Sequence, residues 1–140
     1  MPKNSNTDPK PQCVQTDVSV SVTDLRIGNL LNHISFGNVV VYGCNRDCIQ
    51  AEYKKNTYYD DIRFYTAISI TEELLLKIGA IKLEFKDFPS FNLLGTQINF
   101  INGLWIDYAT RVEIKGLHHL QNIFFFRNSE ELQISCLTEH

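Results

Sequence analysis

The sequence predicts an α+β fold: a small curled antiparallel β-sheet or partial barrel, followed by a short helix, a β-hairpin sheet and a second helix. Three observations carry this reading. Short β-branched and aromatic runs recur between residues 18 and 68, separated by turn residues. The pattern changes at Ser69-Ile70-Thr71-Glu72-Glu73, where a capping residue and two acids precede an apolar run. Further on, Asn102-Gly103 sits between two alternating segments, the strongest short-range hairpin signal a sequence can carry.

The elements follow in order. Residues 1–15 are polar, hold Pro2, Pro9 and Pro11, and read as a flexible tail; residues 16–140 read as one domain. Val18, Val20 and Val22 alternate with polar neighbours, which predicts a half-buried strand. Residues 25–31 read as a strand bent at Gly28, and Phe36-Gly37-Asn38 as a turn leading into Val39-Val40-Val41-Tyr42. Residues 49–53 and 62–68 are two more strand candidates, joined by a polar loop that contains Lys54-Lys55-Asn56 and Asp60-Asp61. Thr71 is placed to cap a helix of about two turns that Gly79 ends. Ile81, Leu83 and Phe85 alternate with charges as a strand. Residues 97–101 and 104–108 form the hairpin around Asn102-Gly103, and Val112 and Ile114 extend the sheet. Leu117, Leu120, Gln121 and Phe124 have helical spacing, so residues 117–127 form the second helix, and residues 132–137 read as a closing strand.

Length and charge narrow the functional classes. A chain of 140 residues suits one domain with a real core. The net charge is −3 and Lys and Arg are scattered, so the basic stripe of a duplex-DNA binder is missing and nucleic acid is a disfavoured partner. A mildly acidic protein suits a basic protein surface instead, such as the groove of a nucleic-acid enzyme. The opening residues lack the apolar run of a signal peptide and no run approaches a membrane span, which places the protein in the cytoplasm of its cell with reduced thiols and predicts no membrane partner.

Candidate chemistry is thin. Cys44 and Cys48 have the spacing of half a zinc site and His118-His119 could complete it, but adjacent histidines on a helix point in different directions, so no metal is expected. Cys136 or Cys44 with His33 or His118 lacks the flanking pattern of a nucleophile. Asp60-Asp61, Glu72-Glu73 and Glu130-Glu131 are sequence neighbours rather than carboxylates facing one cleft, and the glycines are dispersed. No catalytic residue, cofactor or enzyme activity is therefore expected. The aromatic and basic residues Tyr53, Lys54, Lys55, Tyr58, Tyr59, Arg63 and Tyr65, with Phe64 beside them, form a candidate surface for stacking bases or docking a protein. Phe124-Phe125-Phe126-Arg127 raises the same choice, because three consecutive Phe cannot all face one core from a helix; Phe125, Phe126 and Arg127 are the candidates there, and a homodimer contact would satisfy them.

One resemblance adds context. Leu25-Arg26-Ile27-Gly28-Asn29, the run from Ile70 through Gly79, Leu117-His118-His119-Leu120-Gln121-Asn122 and Glu130-Glu131-Leu132 resemble, in order and spacing, a family of small bacteriophage and prophage proteins. That family carries a Pro before the helix cap and a Trp within the helix, where this chain has Ile70 and Leu74, and nothing in it matches the segment before Asp24. The resemblance implies phage or mobile-element ancestry and a bacterial host cell, with no catalytic residue to carry over. It leads to a binding protein that occupies a host protein surface, in its concrete form an anti-CRISPR-like inhibitor of a host defence nuclease. The alternative is a single-stranded nucleic-acid-binding accessory module using Lys54, Lys55, Arg63 and the tyrosines.

Overall fold

The structure, a computed structural model, describes residues 18–85 and 87–137. The expected tail of residues 1–15 lies outside the described residues. Within them the chain is α+β: two antiparallel sheets and two helices, neither sheet closed into a barrel.

The first sheet contains β1 (Leu30–His33), β2 (Gly37–Cys44), β3 (Cys48–Tyr53), β4 (Asn56–Asp61) and β5 (Tyr65–Thr66), in the order β4-β3-β2-β1-β5. Two facts show how far it curls. His33 on β1 and Asp60 on β4 have two strands between them, a separation of roughly 14 Å in a flat sheet. Yet His33 Nε2 and Asp60 Oδ2 are 3.0 Å apart. The His33 Nδ1 accepts the Ser35 amide at 3.0 Å, so Nε2 carries the proton and donates to Asp60. Likewise the Tyr65 hydroxyl on β5 reaches the Ile49 carbonyl on β3 at 3.4 Å. A register shift between Val41 and Gly43 adds the local twist that such a curl requires. Leu31, Val39, Val41, Ile49, Ala51 and Tyr65 fill the interior of the curl.

Helix α1 (Glu72–Lys77) starts where the sequence placed it: the Thr71 Oγ1 accepts the Leu74 amide at 3.0 Å, and Glu72 and Glu73 occupy the first turn. The second sheet contains β6 (Ile81–Leu83), β7 (Ser90–Leu93), β8 (Thr96–Ile101) and β9 (Leu104–Asp107), paired in sequence order. Asn102 and Gly103 turn between β8 and β9 with φ of 53° and 81°, as the hairpin signal required. Helix α2 (Leu117–Asn128) lies over both sheets, and Leu30, Leu75, Phe91, Ile98, Leu117, Leu120 and Phe124 meet beneath it in the larger core.

Helix α2 is fastened to the first sheet by hydrogen bonds as well as by apolar packing. Gln121 is 1% exposed; its Oε1 accepts the Leu30 amide at 2.7 Å and its Nε2 donates to the Gly28 carbonyl at 3.0 Å. At the next residue of the helix, Asn122 Oδ1 accepts from Asn29 Nδ2 at 2.8 Å and Arg26 Nε at 3.2 Å, while Asn122 Nδ2 donates to the Asp24 carbonyl at 2.8 Å. Arg26 continues to Glu131, pairing with both carboxylate oxygens, and lies 4.2 Å over the Phe125 ring. Gly28 adopts φ +99°, which turns its carbonyl toward Gln121 at a position where a side chain would be strained.

Five sequence expectations differ from this. The predicted strand over 62–68 is a 3-10 turn, Ile62–Phe64, capped by Asp61, followed by the two-residue strand β5. The predicted strand over residues 18–22 is one bridge from Ser19 to Thr66 followed by a 3-10 turn, Val22–Asp24, because Ser21 caps that turn and takes the chain out of the sheet. The predicted strand over 25–31 begins only at Leu30, since Arg26 to Asn29 form the turn that meets α2. The expected loop between Tyr53 and Ile62 is strand β4; Lys54 and Lys55 make a two-residue turn with φ of 50° and 69°, which no Asn or Gly announces. The closing strand over 132–137 is absent: Leu132, Ile134, Cys136 and Leu137 pack onto the core by their side chains, and Ser135–Leu137 forms a 3-10 turn. The strand β7 and its Leu94-Gly95 turn were not marked in the sequence.

Replacing Gln121 by Leu leaves the Leu30 amide and Gly28 carbonyl buried without partners. The expected loss is about 2–4 kcal/mol of stability, read as a lowered urea midpoint. A midpoint within error of the wild-type value would show that these bonds do not fasten the helix.

Candidate interaction surface

The residues that dock the inner face of α2 decide which of its side chains face outward. Leu117, Leu120 and Phe124 point into the core, and Gln121 and Asn122 are held by the loop before β1. At the far end Arg127 pairs with Asp107 at the end of β9, at 2.9 and 3.1 Å, and Asp107 is 0% exposed. The Thr110 amide and hydroxyl complete the Asp107 carboxylate at 3.2 and 2.7 Å. Burial, the largest single influence, opposes ionisation of Asp107, but the bonds from Arg127 and Thr110 and the Arg127 charge together hold its pKa below the ordinary carboxylate value. The two ties fix the rotation of the helix, one to each sheet.

Phe126 points outward, with the half-buried His119, Asn122 and Ile123 beside it in a stripe at helical spacing. Phe126 is 91% exposed. Three adjoining depressions, of about 330, 340 and 500 Å³, share His119 in their walls, and Phe126 stands between the second and third. Asp24, Thr23 and Leu25 form one bank, Asp107 and Thr110 another, and Val112, Glu113 and Lys115 close the end near the start of the helix. Two cations beside the stripe are committed, Arg26 to Glu131 and Arg127 to Asp107, while Lys115 forms no ion pair among the described residues. Asp24 and Glu113 form no ion pair among the described residues.

Two histidines lie at the helix start. The His119 Nδ1 accepts the Lys115 amide at 3.2 Å, and burial lowers its pKa. His118 is 4% exposed, and its Nδ1 has no hydrogen-bond partner among the described residues. Burial, aided by the His119 charge and opposed by Asp24, lowers its pKa to about 4. It packs so closely on Gly116 that a Cβ there would lie 3.2 Å from Nδ1 and 2.7 Å from the Ala67 Cβ, which accounts for a glycine immediately before the helix.

The residues singled out in the sequence scatter across the fold. Tyr65 is corrected from surface to core: it is 1% exposed, and burial, first among the causes, raises its pKa to about 12. Tyr53 and Tyr58 turn inward onto Phe36, with centroids 5.0 and 4.5 Å from its ring, and Phe36 stacks on His33 at 4.5 Å. These rings therefore stack on one another. Arg63 is tied to Asp61 at 3.0 Å, and Arg127 serves the buried Asp107. Lys54, Lys55 and Tyr59 stay exposed on the first sheet, while Phe125 lies under Arg26 and Phe126 is open. His119, Ile123 and Asp24 were not singled out for this surface; the helical spacing 119, 122, 123, 126 held the signal. Among the described residues, no three His, Cys, Asp or Glu side chains are grouped to hold a metal ion, so Cys44 and Cys48 are not joined by the histidines of α2. No described helix is long and apolar enough to cross a membrane.

No family model, no curated protein and no solved structure matches this chain.

The sign of the His118 effect on stability is fixed by its lowered pKa. An unfolded histidine takes up a proton near pH 6.5, whereas folded His118 refuses it until about pH 4. Its contribution is thus complete above pH 6.5 and falls as the pH drops toward about 4, by at most about 3 kcal/mol. Urea midpoints at neutral and mildly acidic pH should converge in His118→Gln relative to wild type; an unchanged pH dependence in that variant would remove His118 from the account.

Proposed function

We propose that the protein acts by binding, and that the outer face of α2 is the contact surface for a partner protein. The observation that carries the reading is Phe126, a large apolar side chain 91% exposed on a helix whose inner face is already filled. Depressions on both sides of it give a partner places to seat its own side chains. Exposed aromatics of this kind are enriched among the residues that dominate interface energetics. Arg26 and Arg127 are neutralised within the protein, and Asp24 and Glu113 outnumber Lys115 among the remaining charges beside the stripe, which suits a partner that surrounds an apolar pocket with Lys or Arg. The net charge of −3 acts in the same direction at longer range.

The specific form of the proposal is a phage- or prophage-derived protein of the bacterial cytoplasm that covers the basic groove of a host defence nuclease, as an anti-CRISPR inhibitor does. The acidic balance and the resemblance of the four sequence segments support it. The single-stranded nucleic-acid reading is less favoured, since Tyr53 and Tyr58 are engaged with Phe36 and Tyr65 is buried.

The Phe126→Ala variant tests the surface directly. Because the ring is almost fully exposed, its unfolding midpoint should equal that of wild type. Its affinity for a host protein retained by tagged wild type after nuclease treatment should fall about 10- to 100-fold, the effect of one central aromatic anchor. Equal affinity for that protein would place the contact elsewhere, and retention of nucleic acid alone, lost at high salt, would favour the accessory-module reading.

A further inference from the structure

Beside the start of α2 lies a cavity of about 330 Å³, at the small end of the range for small-molecule sites, about 300–1,000 Å³. Asp24 forms one bank, and Glu113 and Lys115 close the end, on the segment that bridges to Ile106 of β9. None of these three charged side chains forms an ion pair among the described residues. The fold uses the Asp24 carbonyl, which holds Asn122, and the Lys115 amide, which holds His119, but not the charges of their side chains.

Two imidazoles complete the wall. The His119 Nδ1 accepts the Lys115 amide at 3.2 Å, so in the neutral ring Nε2 carries the proton and is a donor. His118 lines the same cavity although it is only 4% exposed. Its Nδ1–Cε1 edge packs on Gly116, where a Cβ would lie 3.2 and 3.3 Å from those two atoms, and Nδ1 has no partner among the described residues. The ring edge that carries Nε2 is the one left for the cavity. A buried N–H without an acceptor is the rarer arrangement, so the proton belongs on Nε2 of this ring as well. Burial, first among the causes, lowers the pKa of both histidines and keeps both rings neutral.

The cavity therefore offers two N–H donors and an ammonium to an anionic group, and two carboxylates to a cationic one. We infer that it binds a free α-amino acid with a small apolar side chain, its carboxylate received by Lys115, His118 and His119 and its ammonium by Asp24 and Glu113. A simple anion would face two carboxylates, and a simple cation would face Lys115. A zwitterion gives each of these groups a partner. Val18 and Val112 supply the apolar part of the wall, where an aliphatic side chain rests. A bare metal ion is a poorer fit, because among the described residues no three His, Cys, Asp or Glu side chains are grouped to hold one.

The site needs no partner protein, so its test is independent of the α2 contact surface and uses the whole protein alone. It is titrated calorimetrically with L-alanine, L-valine and L-leucine, and the imidazole resonances of His118 and His119 are followed by NMR. Saturable one-to-one binding of at least one of the three, moving both resonances, is the expected result. With L-valine as the reference, isobutylamine lacks the carboxylate, isovalerate lacks the ammonium, and L-valinamide mimics a peptide N-terminus. Each should bind about tenfold more weakly or worse, having lost charge-assisted hydrogen bonds. Asp24→Asn and Lys115→Gln alter unpaired side chains, so both variants should keep the wild-type urea midpoint and bind the amino acid about tenfold more weakly. Absence of saturable binding for all three amino acids overturns the proposal. So does equal binding of isobutylamine, isovalerate or L-valinamide, which would reduce the site to one for a cation, an anion or a peptide end. Affinity unchanged in both variants overturns it too, by placing the site elsewhere.

Discussion

Helix α2 is held by side-chain hydrogen bonds to backbone, and much of the structure depends on that choice. Apolar packing alone tolerates rotation and sliding of a helix on a sheet, since any face of suitable volume will do. A buried amide does not. Gln121 satisfies the Leu30 amide and the Gly28 carbonyl together, and Asn122 gathers Asn29, Arg26 and the Asp24 carbonyl. A rotation of the helix by one residue would leave several buried polar groups unpaired, each at a cost comparable to a lost core methylene or more. The pair between Arg127 and Asp107 sets the same angle from the other sheet.

The orientation so fixed has a consequence for the surface. Four apolar or aromatic positions follow one another from Ile123 to Phe126, and the core accepts only Phe124 completely. Phe125 finds cover under the Arg26 guanidinium, which is itself held by Glu131. Phe126 finds none. The exposure of that ring is the result of satisfying the buried amides. Leu25 to Asn29, Leu120 to Asn122 and Glu130 to Leu132 are the three sides of this junction.

Much of the fold was legible wherever one local signal decided the outcome. Thr71 with two acids behind it, and Asn102-Gly103 between alternating apolar residues, each fix their own geometry within a few residues. The misses share a different cause. Lys54-Lys55 turns in a left-handed conformation because β3 and β4 pair along their whole length, not because lysine favours it, so β4 read as a loop. Residues 132–137 have a strand's composition but are drawn to the core by Leu132 and its neighbours. Tyr65 looked like one of several surface tyrosines; the curl of the first sheet, which no short window reveals, brought it to Ile49. The α2 surface was half legible: the Phe run announced that one ring would be left out, but which one depended on Gln121 and Arg127 finding partners about 90 and 20 residues away in sequence.

Amide hydrogen exchange under native conditions, followed residue by residue, examines this arrangement most directly. The Leu30 amide is at the first residue of its strand, where fraying would normally make exchange fast. With its acceptor the buried Gln121 side chain, it should exchange only through global unfolding, at the same free energy as the amides of Phe91 and Ile98 in the second sheet. Exchange of Leu30 through a lower-energy opening, while those amides remain protected, would mean that the helix lifts from the first sheet independently and that its orientation, and with it the exposure of Phe126, is not fixed by the junction.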